Sequence, residues 1–339
     1  MNARACQSSA TALSPLVDAF GRKVTYLRLS ITDRCNLRCR YCMPEDGVNV
    51  LDHQSILSYE EMERLSRIFV SMGVRKIRIT GGEPFVRKGC LEFMQRLKSQ
   101  NPGLSLHLTT NGVAVLPYLQ GLKELGIQGI NLSLDTLDPE RFKEITRRDK
   151  LGRVLEVFHE TLRLELPLKV NAVVQEDTGD DELLRMAELV KEHPVALRFI
   201  ELMPFSGAEE HHDVHMAQTL ESRLFRLFPG LTELSAKQVE TARKFSLPGY
   251  AGTLGIIEGE SRKFCATCNK LRVTSSGLMK NCLYDQGVLN LRELLRATTD
   301  DHEVVSEIRK AVSRKLQNGM EAAKLNASTS EDSMASIGG

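Results

Sequence analysis

The sequence predicts an α/β protein built on parallel strands, and two observations carry that prediction. Through about residue 205, short β-branched runs alternate with segments whose apolar residues recur at helical spacing. The chemically unusual residues of this region cluster at the ends of the strand-like runs. Strands alternating with helices give right-handed βαβ units. Six such units close into an open, partial (β/α)6 barrel or spread into a doubly wound sheet. In either arrangement the chemistry collects on loops at the C-terminal ends of the strands.

The candidate strands are Thr25–Ile31, Lys76–Thr80, Ser105–Thr109, Gly129–Leu134, Leu168–Val174 and Ala196–Leu202. Between them run apolar stripes such as Met62, Leu65, Ile68, Phe69 and Met72, or Leu183, Leu184, Met186, Ala187 and Val190, which read as core packing. A cysteine triplet follows the first strand and Gly81-Gly82-Glu83-Pro84 the second. Thr110-Asn111-Gly112 follows the third, Ser133 and Asp135 close the fourth, Asn171 lies in the fifth, and Glu201 and Met203 end the sixth. One polar strand end is a turn; a whole series in register points to a shared site on one face.

After about residue 205 the alternation stops. A polar stretch with His211, His212 and His215 leads to a helix near Gln218–Leu227, short strand-like runs and a second cysteine cluster. Helical patterns at Leu289–Arg296 and Val304–Leu316 follow. The expected division is a flexible N-terminus over 1–20, a barrel over 21–205, a smaller β-rich lobe over 206–325 and a mobile tail over 326–339 ending in Gly338-Gly339.

Composition excludes several function classes. The 45 basic and 44 acidic residues nearly cancel, so no bulk field draws in nucleic acid or an acidic membrane. No apolar run approaches the roughly 20 residues of a membrane helix, and the first residues lack the apolar core of a secretory signal. A soluble, cytoplasmic protein is expected. In a reducing compartment its eight cysteines read as metal ligands or catalytic groups rather than as disulfides.

Cys35-x-x-x-Cys39-x-x-Cys42 is the strongest motif. Three thiolates close in sequence can wrap one face of a cubane cluster, whose irons favour soft sulfur ligands. A structural zinc site or an ordinary electron-transfer cluster uses a fourth ligand; a triplet leaves one iron open. The competing reading is a zinc knuckle that borrows His53. Tyr41 is placed to cover the cluster. Cys265-x-x-Cys268 with Cys282 is a second set of the same kind, which alone reads as zinc or iron–sulfur and beside the first favours a second open cluster. Cys6 and Cys90 are expected to be unligated. Arg28, Lys76, Arg78, Arg198 and Arg272 lie on strands or beside the second set, and buried cations in such number call for a polyanion.

The cysteine triplet together with Gly81-Gly82-Glu83-Pro84 resembles the radical S-adenosylmethionine superfamily, which implies the partial, TIM-like barrel with a C-terminal lobe carrying a second cluster. Thr32-Asp33-Arg34-Cys35-Asn36, Ile77-Arg78-Ile79-Thr80, Leu108-Thr109-Thr110-Asn111-Gly112, Asn131-Leu132-Ser133-Leu134-Asp135, Arg198-Phe199-Ile200-Glu201 and the second cysteine set resemble the GTP 3′,8-cyclase family, which opens molybdenum-cofactor biosynthesis. The likeness runs from about Gly21 to about Leu295. It implies two [4Fe–4S] clusters, on Cys35, Cys39 and Cys42 and on Cys265, Cys268 and Cys282, with S-adenosylmethionine at the first and the guanine of GTP at the second. Tyr41, Gly82, Glu83, Asn111, Ser133 and Met203 match positions around S-adenosylmethionine. Arg28, Lys76, Arg78, Thr109, Lys169, Arg198 and Arg272 match positions that line the GTP site, and Gly338-Gly339 match a tail that reaches into it. Lys270 stands where the family is expected to carry arginine; it keeps the charge without the planar fork.

The chemistry so implied is cleavage of S-adenosylmethionine to methionine and a 5′-deoxyadenosyl radical, abstraction of the ribose 3′ hydrogen of GTP, and closure onto guanine C8. The implied partners are GTP, an electron donor and cyclic pyranopterin monophosphate synthase, with a homodimer possible and neither membrane nor nucleic acid involved. Two other readings remain at this level. A radical peptide maturase calls for a peptide groove instead of a cationic pocket, and a zinc-binding interaction module calls for a colourless protein.

Overall fold

A computed structural model describes residues 13–203, 219–235, 241–259, 263–326 and 334–337. The strands of the barrel region are β1 (Tyr26–Ser30), β2 (Lys76–Thr80), β3 (Ser105–Thr110), β4 (Ile130–Ser133), β5 (Leu168–Val174) and β6 (Ala196–Glu201), all parallel and hydrogen-bonded in sequence order. Helices α1 (Tyr59–Ser71), α2 (Cys90–Gln100), α3 (Leu119–Leu125), α4 (Pro139–Thr146), α5 (Leu151–Arg163) and α6 (Asp180–Glu192) fill the crossovers. The helix starts are written locally: Ser58 and Glu61 form a reciprocal capping box on α1, and Asp138 caps α4 ahead of Pro139.

Alternation along each strand separates two layers. On β5, Leu168, Val170, Ala172 and Val174 are buried beneath helices, whereas Lys169, Asn171 and Val173 turn to the other face and line a cavity. Phe69, Phe93, Phe158 and Phe199 lie fully buried in the layer between helices and sheet. The sheet is curled, since Lys76 of β2 and Arg198 of β6 act on one another electrostatically and line the same cavity.

The C-terminal region is β-rich, as expected, and its strands join the sheet of the barrel. Its strands are β7 (Thr232–Leu234), β8 (Arg243–Ser246), β9 (Thr253–Ile257), β10 (Lys270–Val273), β11 (Leu278–Lys280) and β12 (Leu289–Asn290). β9 pairs parallel with β6, and β10 pairs parallel with β1, so this region extends both edges of one twelve-stranded sheet. The physical reason is that an open barrel leaves two unpaired strand edges, and parallel partners satisfy their backbone groups. Helices α7 (Leu220–Leu227), α8 (Leu291–Ala297), α9 (Asp301–Ser313), α10 (Gly319–Asn326) and α11 (Met334–Ile337) complete the described elements.

Where they are described, both ends make packing contacts. Leu16 is buried and its N–H donates to Met72 O at 2.9 Å, while Asp18 and Arg22 form a buried ion pair at 2.6 Å. In the tail, Ile337 is buried and Met334 lines the cavity. An apolar side chain in each segment docks it. Cys6, the His211, His212 and His215 stretch, and Gly338-Gly339 lie outside the described residues.

Candidate active site

The concave face encloses a cavity of about 630 Å³. Arg28, Tyr41, Lys76, Arg78, Gly82, Thr109, Asn111, Ser133, Lys169, Arg198, Met203, Lys270 and Arg272 line it, and so do both cysteine triplets. Glu83 is the described exception. His53 is exposed on a loop and takes no part. Strand register builds the charged floor: Arg28 is flanked by Arg78 and Arg272, and Tyr26 by Lys76 and Lys270. A further polar row joins Thr109, Asn131 and Lys169, and Asn171 pairs in register with Arg198.

Cys35, Cys39 and Cys42 sit on the loop after β1, at one end of the cavity. The loop is knitted by Cys42 N–H donating to Cys39 O at 2.9 Å, and Asn111 Nδ2 approaches Cys35 Sγ at 3.6 Å. Burial raises the Cys39 thiol well above its usual range, and repulsion from Cys42, Asp135 and Cys35 adds to it. Thiols this close in a buried setting suit a metal that holds them as thiolates. No group of three ligands among the described residues is disposed around a single metal ion. A cubane fits better, because each thiolate binds its own iron and the sulfurs need not converge.

The surrounding residues hold this loop. Gly82 N–H donates to Thr32 O and Glu83 N–H to Arg34 O, both at 2.8 Å. A β-carbon on Gly82 would stand 2.3 Å from Arg34 O, so the glycine serves close approach to the cysteine loop itself. Glu83 lies wholly buried behind the cavity wall, where its carboxylate accepts from Thr110 Oγ1 at 2.8 Å and from Asn111 N–H at 2.7 Å. Burial pushes its carboxyl up to about 7. Its place is to orient the Asn111 segment. Tyr41 donates its hydroxyl to Asp135 Oδ2 at 2.8 Å, which fixes the ring beside Cys39 and Cys42.

At the other end, Cys268 N–H donates to Cys265 O, and Gly319 N–H approaches Cys265 Sγ at 3.4 Å. Lys315 is buried beside this set, donating to Lys270 O at 2.9 Å and to Asn281 O. Burial raises the Cys268 thiol, but Lys315 and Lys270 outweigh it and lower its pKa. Arg22 donates to Cys265 O, Leu316 O and Gln317 O, binding the Cys265 loop to the segment that follows α9.

Several participants escaped sequence reasoning: Tyr26, His107, Asn131, Lys315 and Arg22. Tyr26 and His107 had a usable signal, since they share the strand parity of Arg28 and Thr109. Lys315 and Arg22 had none, because only tertiary contact gives them a role. Asn131 Oδ1, Asn171 Oδ1 and Thr109 Oγ1 are buried on the cavity with no hydrogen-bond partner, an arrangement that calls for a polar ligand.

A curled parallel sheet with a cysteine triplet past its first strand defines the class, and the sequence agrees: it matches the family described as Radical SAM superfamily over residues 29–190 and that described as Molybdenum Cofactor Synthesis C over 195–320. The structure of Streptococcus suis SuiB bound to S-adenosylmethionine is similar in fold, with a TM-score of 0.61 at 16% identity, over 93% of this chain and 76% of that one. The GTP 3′,8-cyclase of Heliobacterium modesticaldum is 39% identical, covering 88% of this chain and 93% of the relative. The mitochondrial GTP 3′,8-cyclase of Arabidopsis thaliana is 41% identical, covering 88% and 77%. Molybdenum cofactor biosynthesis protein 1 of Mus musculus is 40% identical over 88% of this chain, which spans about half (48%) of that longer protein. The chain belongs to the GTP 3′,8-cyclase family of radical S-adenosylmethionine enzymes.

Proposed function

We infer that the chain converts GTP to its 3′,8-cyclised nucleotide, the first step of molybdopterin biosynthesis. The observation that carries this reading is one cavity with a cysteine triplet at each end and a cationic floor between them. Cys35, Cys39 and Cys42 would hold a cluster at the first end, which would supply one-electron cleavage of S-adenosylmethionine. Gly82, Asn111, Ser133 and Met203 shape the cofactor's seat, Tyr41 covers it, and Glu83 supports it from behind. Arg28, Lys76, Arg78, Lys169, Arg198, Lys270 and Arg272 hold the triphosphate by charge-assisted hydrogen bonds. Thr109, Asn131 and Asn171 offer their buried oxygens to the ribose and base. Cys265, Cys268 and Cys282 would hold a second [4Fe–4S] cluster, which would supply a binding site for the guanine base. The protein's contribution is to hold C3′ near C8 and to exclude water.

The partners of this reading are GTP, a reductant, cyclic pyranopterin monophosphate synthase and a second copy of the chain. The resemblance to the family gives Gly338 and Gly339 a part in cyclisation; their deletion leaves both clusters in place and sharply lowers cyclisation. Among the described residues no helix is long and apolar enough to cross a membrane.

The test is anaerobic reconstitution followed by turnover with GTP, S-adenosylmethionine and a reductant, reading 5′-deoxyadenosine and cyclised nucleotide. Cys39→Ala abolishes both products. Cys268→Ala retains uncoupled 5′-deoxyadenosine formation and loses the nucleotide. Full nucleotide formation by Cys268→Ala would make the second set structural, and cofactor cleavage with no nucleotide product in the unaltered protein would point to another substrate.

A further inference from the structure

Tyr26 belongs to none of the motifs, yet it stands in the cationic floor. Its register partners are Lys76 on β2 and Lys270 on β10. The Lys76 ammonium lies 4.7 Å from the ring centroid and that of Lys270 6.0 Å. The phenolic oxygen accepts from Arg78 Nε at 2.8 Å. Arg78 is itself pinned, with Nη1 donating to Leu108 O and Nη2 3.3 Å from His107 Nδ1. His107 Nε2 lies 3.0 Å from Ser105 Oγ. Beside a guanidinium, Nδ1 is the acceptor, so His107 is neutral with its proton on Nε2.

The charged groups facing Tyr26 are therefore of one sign. They are Arg28 from its own strand, Lys76 and Arg78 from β2, and Lys270 and Arg272 from β10, with His107 of β3 neutral behind them. The carboxylates that line the same cavity, Asp135 in the loop after β4 and Glu201 on β6, lie away from this register. Buried cations require a nearby anion; the Cys268 and Cys282 thiols face Lys270 and Arg272, and the phenol is the acidic group in register with Lys76 and hydrogen-bonded to Arg78.

We propose that Tyr26 is a specificity-determining residue: its phenolate is the resident counter-ion of Arg28, Lys76 and Arg78, and the phosphates of a nucleoside triphosphate replace it, so that binding moves one proton from solvent onto the phenolic oxygen. This rests on reading the cavity as a nucleoside-triphosphate site. Burial alone raises the phenol's pKa, but Arg78, Arg28 and Lys76 outweigh it and bring it to about 7. Once phosphates occupy the same cations, a phenolate beside them meets like charge at low dielectric, and the neutral phenol is favoured. The balance is simple: phenolate and one proton give phenol, with no redox change. A neutral nucleoside brings no charge to displace the phenolate, so the device selects for phosphates.

The test is calorimetry of GTP binding to the anaerobic, cluster-bearing protein without S-adenosylmethionine, in buffers of different ionisation enthalpy. The terminal phosphate titrates near pH 6, so the quantity read is the difference between the unaltered protein and Tyr26→Phe. At about pH 8 the unaltered protein takes up close to one proton more per GTP than the variant. Its affinity falls by up to about tenfold per pH unit above pH 7 relative to the variant, and the two converge near pH 6. Equal proton uptake by both proteins overturns the proposal while leaving the nucleotide reading intact; failure of both to bind GTP overturns the two together. A second measurement needs no variant: the ultraviolet tyrosinate band of the unaltered protein at about pH 8 is lost on adding GTP and retained on adding guanosine. A band that survives GTP, or that guanosine removes equally, overturns the proposal.

Discussion

At the scale of single residues, Glu83 shows how a motif position can act from behind the site. Its carboxylate accepts from Thr110, Asn111 and Phe85 but pays for that with complete burial. Folded, it holds a proton up to about pH 7; unfolded, it releases it near its usual 4.5. Asp135, raised by burial to about 6, adds in the same direction. Folding therefore takes up protons between these values, and stability of the cluster-free protein falls as pH rises from about 5 to about 7, by roughly 3 kcal/mol for Glu83. Urea midpoints across that range measure the slope, and Glu83→Gln flattens it. An unchanged slope in the variant would assign the pH dependence to other groups. The motif showed that a carboxylate was wanted at this position. That it would be walled off from the cavity depends on the turn of the chain after Gly82, which residue type does not disclose.

At the scale of elements, the loops after β1 and β2 are one device. Gly82→Ala drives a β-carbon into Arg34 O, so the cysteine loop must shift or the turn must open. The expected cost is about 3 kcal/mol, with loss of iron from the first cluster; iron analysis and thermal unfolding of the variant measure both. At the far end, Lys315→Met removes a buried ammonium that serves Lys270 O and Asn281 O. Each carbonyl left without a donor costs about 1–3 kcal/mol, and on the two-cluster reading proposed above iron content should fall by about half. Full iron in that variant would make Lys315 a fold residue alone. The strands of the barrel region were legible because β-branched runs and helical stripes are local signals: Lys76–Thr80 and Leu168–Val174 are found at the expected bounds. The partners of β9 and β10 were not legible. Edge pairing is decided by which strand ends lie open after the barrel curls, a long-range condition that leaves no mark on short, mixed sequences.

At the scale of the whole molecule, distant stretches meet at few points. Arg22 joins Asp18, the Cys265 loop and the segment that follows α9. Arg22→Ala leaves Asp18 a buried charge without its partner and frees that loop. A loss of about 3 kcal/mol is expected, and on the two-cluster reading proposed above the cluster at Cys265, Cys268 and Cys282 leaves before the first on mild chelation; the order of loss is visible by absorption and iron analysis, and release of the first cluster ahead of the second would argue against the tie. The sheet order carries a further consequence for how the molecule comes to be made. Synthesis delivers β1 to β6 well before β9 and β10. Until those later strands arrive, the nascent barrel presents two naked edges, each a template for pairing with another chain. A fragment holding residues 13–203 alone should therefore sediment with aggregates and be a chaperone client, not a soluble half-enzyme, and the hazardous interval of its biogenesis ends when the strand beside Cys268 docks against β1.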